Sequence, residues 1–221
     1  MKTFGVLLSG CGFYDGSDIW EAVLIHFFLE GKGYNSQFIS LNSNAKEVIN
    51  HHTQESLSEK RNIFLESARI GLDQTRKIEE VFPENLEGLI VVGGYGVLKN
   101  FLETDPQGRI LRAQSEVKSF IRETFRRKKP IGGCGLASLL IASSLQDIVT
   151  TPLTLTLGND AKLSDQLEKL GAIHIIAKLD EAIIDKEHNI VTTPGNLGKH
   201  RIKEVASGIQ NMILGVLELT Q

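Results

Sequence analysis

Three times in this chain a short apolar run ends directly in a glycine-rich turn. Residues 3–9 (TFGVLLS) run into Gly10-Cys11-Gly12, Leu89-Ile90-Val91-Val92 into Gly93-Gly94-Tyr95-Gly96, and Pro130-Ile131-Gly132-Gly133-Cys134 into Gly135. Apolar runs of this length fit strands buried on both faces, and the glycines supply turns that residues with a Cβ resist. Helical spacing fills 18–30, 55–70, 115–128, 136–145, 161–170 and 201–219. The first of these carries Ile19, Val23 and Phe27 on one face, and the fifth has Asn159 or Asp160 as its N-cap. Weaker strands are expected at 35–41, 153–157 and 172–176, and 182–185 and 189–192 flank Lys186-Glu187-His188 as a hairpin. Strands alternating with helices predict one α/β domain over 1–221, with a mainly parallel sheet covered on both faces and a small hairpin near the C-terminus.

Composition narrows the function classes. At 221 residues, 41% hydrophobic and 23% charged, the chain buries a core without staples. A formal net charge of −3 gives no ground for a nucleic-acid partner or an anionic membrane. The one basic cluster, Arg126-Arg127-Lys128-Lys129, ends a predicted helix, where cations complement the dipole; a phosphate-binding patch is the alternative. Two cysteines, Cys11 and Cys134, make neither a metal knuckle nor a disulfide framework, and the six histidines show no metal-ligand spacing. No metal is expected. No cofactor is expected either, because Gly10-Cys11-Gly12 lacks the third glycine of a dinucleotide turn and no Gly-Lys-Ser/Thr follows a strand. No run approaches the ~18 apolar residues of a membrane span. The N-terminus enters a strand pattern without a secretory signal, so a cytoplasmic location is expected.

Ligands of an open α/β sheet bind outside the carboxyl ends of its strands, where the three glycine turns converge. The third turn has the form of a nucleophile elbow. In an elbow the hinge residue holds a positive φ and aims its side chain at a helix N-terminus, whose N–H groups lower a thiol pKa and stabilise an oxyanion. Here the hinge falls on Gly135, with Cys134 one place early; only a one-residue bulge would bring Cys134 onto it. Glu21 has two readings. In Asp18-Ile19-Trp20-Glu21 it closes a capping box on the Asp18 N–H, or it faces the elbow as a carboxylate that moves a proton. Cys11 is either a small buried residue or a turn thiol ahead of a helix.

These stretches resemble the class I glutamine amidotransferase-like superfamily that includes the PfpI peptidases, and within it the ElbB-like branch, named for enhanced isoprenoid (lycopene) biosynthesis. The matching segments are GVLLSGCGFYDGSDIWEAV (from Gly5), Asn50-His51-His52-Thr53, Lys60-Arg61-Asn62, VVGGYGVLKN (from Val91), KKPIGGCGLAS (from Lys128), LTLTLGND (from Leu153) and NIVTTP (from Asn189). The resemblance implies a flavodoxin-like three-layer sandwich, an elbow cysteine, and a first-helix glutamate hydrogen-bonded to it. That glutamate falls on Glu21, which favours the site reading. The family's Pro-Gly-Gly-x-Gly loop falls on Val92-Gly93-Gly94-Tyr95-Gly96, whose N–H groups would form part of an oxyanion pocket. Cys11, Gly12, Gly94, Tyr95 and Gly96 are the expected ligand contacts.

The family elbow reads Pro, four residues, then Cys, which counts from Pro130 to Gly135. ElbB-like members are associated with a cofactor-free glyoxalase activity that turns an α-oxoaldehyde such as methylglyoxal into a hydroxy acid. A glyoxalase with weak or lost activity is therefore expected, with Glu21, Cys134 and Gly135 as the candidate catalytic positions. The alternatives are a non-catalytic small-molecule-binding or regulatory protein linked to isoprenoid metabolism, and a thiol redox sensor on Cys11 or Cys134. The resemblance also implies a homodimer, and Trp20, Phe27 and Phe28 give the first helix a broader apolar surface than one stripe.

Overall fold

Thr3–Leu8 (β1), Asn35–Ser40 (β2), Thr75–Lys77 (β3), Gly88–Val91 (β4), Ile131–Cys134 (β5), Ile183–Asp185 (β6) and Ile190–Thr193 (β7) form one sheet in the order β6-β7-β5-β4-β1-β2-β3. These strands come from the computed structural model, which describes residues 2–198 and 201–220. Every neighbouring pair is parallel except β6 and β7, which form the expected antiparallel hairpin. Chain order reverses between β1 and β4, the switch point of a flavodoxin-like sheet.

The period-two alternation of β1 sorts the two faces. Phe4, Val6 and Leu8 pack under Ile19–Gly31 (α1) and Ile202–Glu218 (α6), with Ile90, Val191, Ile209 and Met212. Leu7 faces the opposite layer with Leu89, Val91 and Ile131, beneath Ser115–Arg126 (α3) and Ala137–Leu145 (α4). The result is the three-layer sandwich expected from the sequence.

Side-chain caps set the helix starts. Asp18 Oδ1 accepts the Glu21 N–H at 3.1 Å, and Asp160 Oδ1 accepts from Lys162 and Leu163, which settles Asp160 as the cap of Ala161–Lys169 (α5). The helix expected at 55–70 begins later, at Ile63–Gly71 (α2), where Asn62 Oδ1 accepts the Leu65 N–H at 3.1 Å. The residues before it are drawn into an antiparallel pairing of Ser56–Leu57 with Val48–Ile49. A π-helical turn at Val97–Phe101 and a hairpin of Leu102–Thr104 with Ile110–Ala113 follow the second glycine turn, where the sequence pattern gave no element.

Candidate functional site

Strand β5 enters α4 through Gly135, whose φ of +50° is the positive-φ hinge of an elbow. The β5–β7 register runs unbroken from Ile131↔Ile190 to Cys134↔Thr193, so no bulge moves Cys134 onto the hinge. Alternation instead turns Cys134 to the α6 side, fully buried, with its Sγ 3.7 Å from Met212 Sδ. Burial above all, then the Glu21 and Asp18 carboxylates, pushes its thiol well above the ordinary range. Nothing here makes a thiolate.

Glu21 is 1% exposed, and its carboxylate leaves its own helix end. Oε2 accepts the Gly93 N–H at 2.8 Å and Oε1 accepts the Asn196 N–H at 2.7 Å. Only half of the capping box forms: Asp18 caps the Glu21 amide, while the Glu21 side chain ties together the turns that follow β4 and β7. Asp18 joins this cluster, with Oδ2 accepting from Asn196 Nδ2 at 2.8 Å. Desolvation first, then the Asp18 charge, raises the Glu21 carboxyl to about 8, although the two amides favour its ionised form. This shift favours the protonated form of Glu21 near neutral pH.

The 93–96 turn was expected to aim its amides at an oxyanion. Gly93 N–H goes to Glu21, Tyr95 N–H to the Phe13 carbonyl at 2.7 Å and Gly96 N–H to the Gly16 carbonyl at 2.9 Å. The Tyr95 and Gly96 donors hold the first two glycine turns together, and the Gly93 donor ties the second turn to α1. Cys11 is half-buried and lines a separate cavity of about 10 Å³ with Arg61, Glu66 and Asn100. Burial first, then Glu66, raises its thiol pKa as well. Gly12 (φ +124°) lies under His51, whose Nε2 a Cβ at position 12 would strike.

The loop after β7 was missed as part of the site. Gly195 (φ +61°) fits between Glu21 and the elbow: a Cβ there would collide with Glu21 Oε1 and lie 3.0 Å from the Gly135 nitrogen. Leu197 packs over Gly135 from outside. The only signal in the sequence was Thr193-Pro194-Gly195 directly after a strand, which reads as an ordinary turn. Two open cavities flank this loop. One, of about 540 Å³, has Leu157, Ile176, Leu179, Pro194 and Leu197 in its walls; the other, of about 800 Å³, has Phe13, Tyr14, Trp20, Tyr95, Lys99 and Asn196. Among the described residues no group of three or more His, Cys, Asp or Glu side chains could hold a metal ion, and no helix is long and apolar enough to cross a membrane.

No family model matches the chain. It is 31% identical to the mitochondrial ES1 protein homolog of Rattus norvegicus, over 97% of this chain and 83% of that protein. It is likewise 31% identical to the mitochondrial glutamine amidotransferase-like class 1 domain-containing protein 3 of Homo sapiens, over 97% of this chain and 82% of that protein. The crystal structure of an isoprenoid biosynthesis protein with an amidotransferase-like domain from Ehrlichia chaffeensis superposes with a TM-score of 0.92 at 32% identity, over all of both chains. The mitochondrial relatives correct the cytoplasmic location expected from the sequence. That expectation rested on a missing secretory pattern and a missing membrane span, and neither bears on organelles.

Proposed function

The chain belongs to the family of ES1 and glutamine amidotransferase-like class 1 domain proteins, and from that premise we propose an ElbB-like protein that has lost thiolate-dependent glyoxalase chemistry and binds a small molecule at the carboxyl edge of its sheet. One observation carries this reading. The elbow keeps its backbone, with Gly135 at φ +50°, while the neighbouring thiol of Cys134 points across the sheet to Met212. Addition of a thiolate to an aldehyde needs an ionised sulfur within reach of the carbonyl carbon, and burial opposes both conditions. The protonated Glu21 supports the same reading, since both of its oxygens are already bound to backbone amides and none is aimed at an open seat.

Methylglyoxal turnover to lactate by the purified chain tests this. No turnover above a buffer control is expected; turnover that Cys134→Ser abolishes would overturn the loss of chemistry. The redox-sensor alternative finds less support, because both thiols are pushed up rather than down. The Ehrlichia chaffeensis protein is called an isoprenoid biosynthesis protein, which supports a link of this chain to isoprenoid metabolism. We infer a homodimer as the working form, from the uncovered apolar face of α1, where Ile19, Val23 and Phe27 are 45%, 55% and 65% exposed.

A further inference from the structure

The larger cavity beside the 194–198 loop has walls that define what it takes. Phe13, Tyr14, Trp20 and Tyr95 line it, together with Gln54 and Lys99. The rings arrive from separate segments, namely the turn after β1, the first turn of α1 and the turn after β4. They also brace one another edge-on: Phe13 and Tyr95 at 5.4 Å and 85°, Phe13 and Tyr14 at 5.2 Å and 75°. The chain's one tryptophan and two of its three tyrosines meet here, beside one of its ten phenylalanines. Trp20 and Tyr95 remain 45% and 37% exposed, so ring surface stays uncovered, and the contact with Phe13 fixes the position of Tyr95. Ring walls held in place before a ligand arrives offer stacking area with little further loss of side-chain entropy.

Size and charge narrow the ligand. About 800 Å³ suits a molecule of two or three rings and exceeds by far what a three-carbon oxoaldehyde fills. Lys99 is the one charged residue among the described residues that line the cavity. Its ammonium gives one donor to Glu47 Oε2 at 2.7 Å, and an ammonium has three. Around it the described lining offers aromatic and aliphatic carbon, phenol and amide.

We propose that this basin binds a planar aromatic or conjugated small molecule with one acidic group, its rings stacked against Phe13, Trp20 and Tyr95 and its acid on Lys99. The proposal rests on the reading of the carboxyl edge as a ligand site, and is independent of whether thiolate chemistry is lost. Trp20, the sole tryptophan, reports it directly in the full chain. Titration with 8-anilinonaphthalene-1-sulfonate is expected to quench Trp20 fluorescence saturably. Tyr95→Ala weakens that binding about tenfold, the worth of one lost aromatic contact. Lys99→Met weakens the sulfonate probe about tenfold and leaves the neutral N-phenyl-1-naphthylamine unchanged. Quenching that never saturates, or an affinity indifferent to Tyr95→Ala, would overturn the proposal. So would equal losses for both probes in Lys99→Met, or binding that only splits a dimer, which would make a second copy the occupant. Methylglyoxal turnover that depends on Cys134 would overturn the proposed loss of activity and leave these fluorescence results standing.

Discussion

Leu197 stands over Gly135 so closely that a Cβ on the glycine would lie 3.0 Å from the leucine Cγ and 3.0 Å from the Pro194 carbonyl oxygen. The seat of the missing nucleophile is thus closed by one side chain that can move and one piece of backbone that resists moving. A glycine at the hinge leaves the space into which Leu197 and the Pro194 carbonyl settle.

Restoring the nucleophile therefore takes two changes. Gly135→Cys alone is expected to strain the left-handed hinge by about 1 kcal/mol and to leave the new thiol covered. Gly135→Cys combined with Leu197→Ala is expected to react with iodoacetamide about ten times faster than Gly135→Cys alone, at the pH where a thiol beside helix N–H groups ionises. Equal labelling rates by mass spectrometry would show that Leu197 does not close the seat.

Glu21 should make stability depend on pH. Its folded pKa of about 8 lies above the ordinary 4.5, so the folded state holds the proton more tightly than the unfolded chain. The contribution is complete below about 4.5 and is lost as pH rises towards 8, with a slope of at most about 1.4 kcal/mol per pH unit. Urea midpoints between pH 5 and pH 8 are expected to fall in the wild type. In Glu21→Gln they are lower at pH 5, because the amide NH2 meets a backbone N–H, and they change less with pH. Parallel pH profiles for the two proteins would rule out a proton on Glu21.

The native thiols should be slow. With burial pushing both up, Cys134 is expected to stay unlabelled by iodoacetamide at neutral pH and Cys11 to label slowly, while both label fully in urea. Rapid native labelling of Cys134 would contradict its place against Met212.

Self-association should run through α1. Light scattering is expected to give twice the 24.4 kDa of one chain at micromolar concentration, and Phe27→Glu is expected to halve the mass without unfolding, since Phe27 is 65% exposed. A wild-type monomer would remove the homodimer from the proposed function.

A second buried cluster serves as a control far from the ligand site. Asp185 Oδ2 accepts from His188 Nδ1 and the Thr154 N–H, both at 2.8 Å, and Oδ1 accepts the His188 N–H at 3.1 Å. Asp185→Asn places an NH2 among those donors and is expected to lower stability by about 2 kcal/mol, while leaving Trp20 quenching by the probe unchanged. A matching loss of probe binding would tie this hairpin to the site.

The fold was legible because its signals are local. Leu89 to Val92 ahead of Gly93, and Asp18 ahead of α1, declare a strand end and a helix start within a few residues. The late start of α2 and the hairpin that follows Val97–Phe101 were not legible, since short pairings such as Val48–Ile49 with Ser56–Leu57 depend on what packs around them. Within the site, counting from Pro130 placed Gly135 on the hinge, and strand alternation sent Cys134 to the other face.

The sequence by itself determined the strands of the main sheet other than its edge strand Thr75–Lys77, the three glycine turns and the glycine at the elbow hinge, because each is a property of adjacent residues. Tertiary structure alone decided what surrounds them. It buried Glu21 beside Asp18, which pushes that carboxyl up; it engaged the amides of Gly93, Tyr95 and Gly96 in holding loops together; and it laid Leu197 over Gly135. Burial and hydrogen-bond partners come from residues as many as 178 positions apart, so no local pattern encodes them.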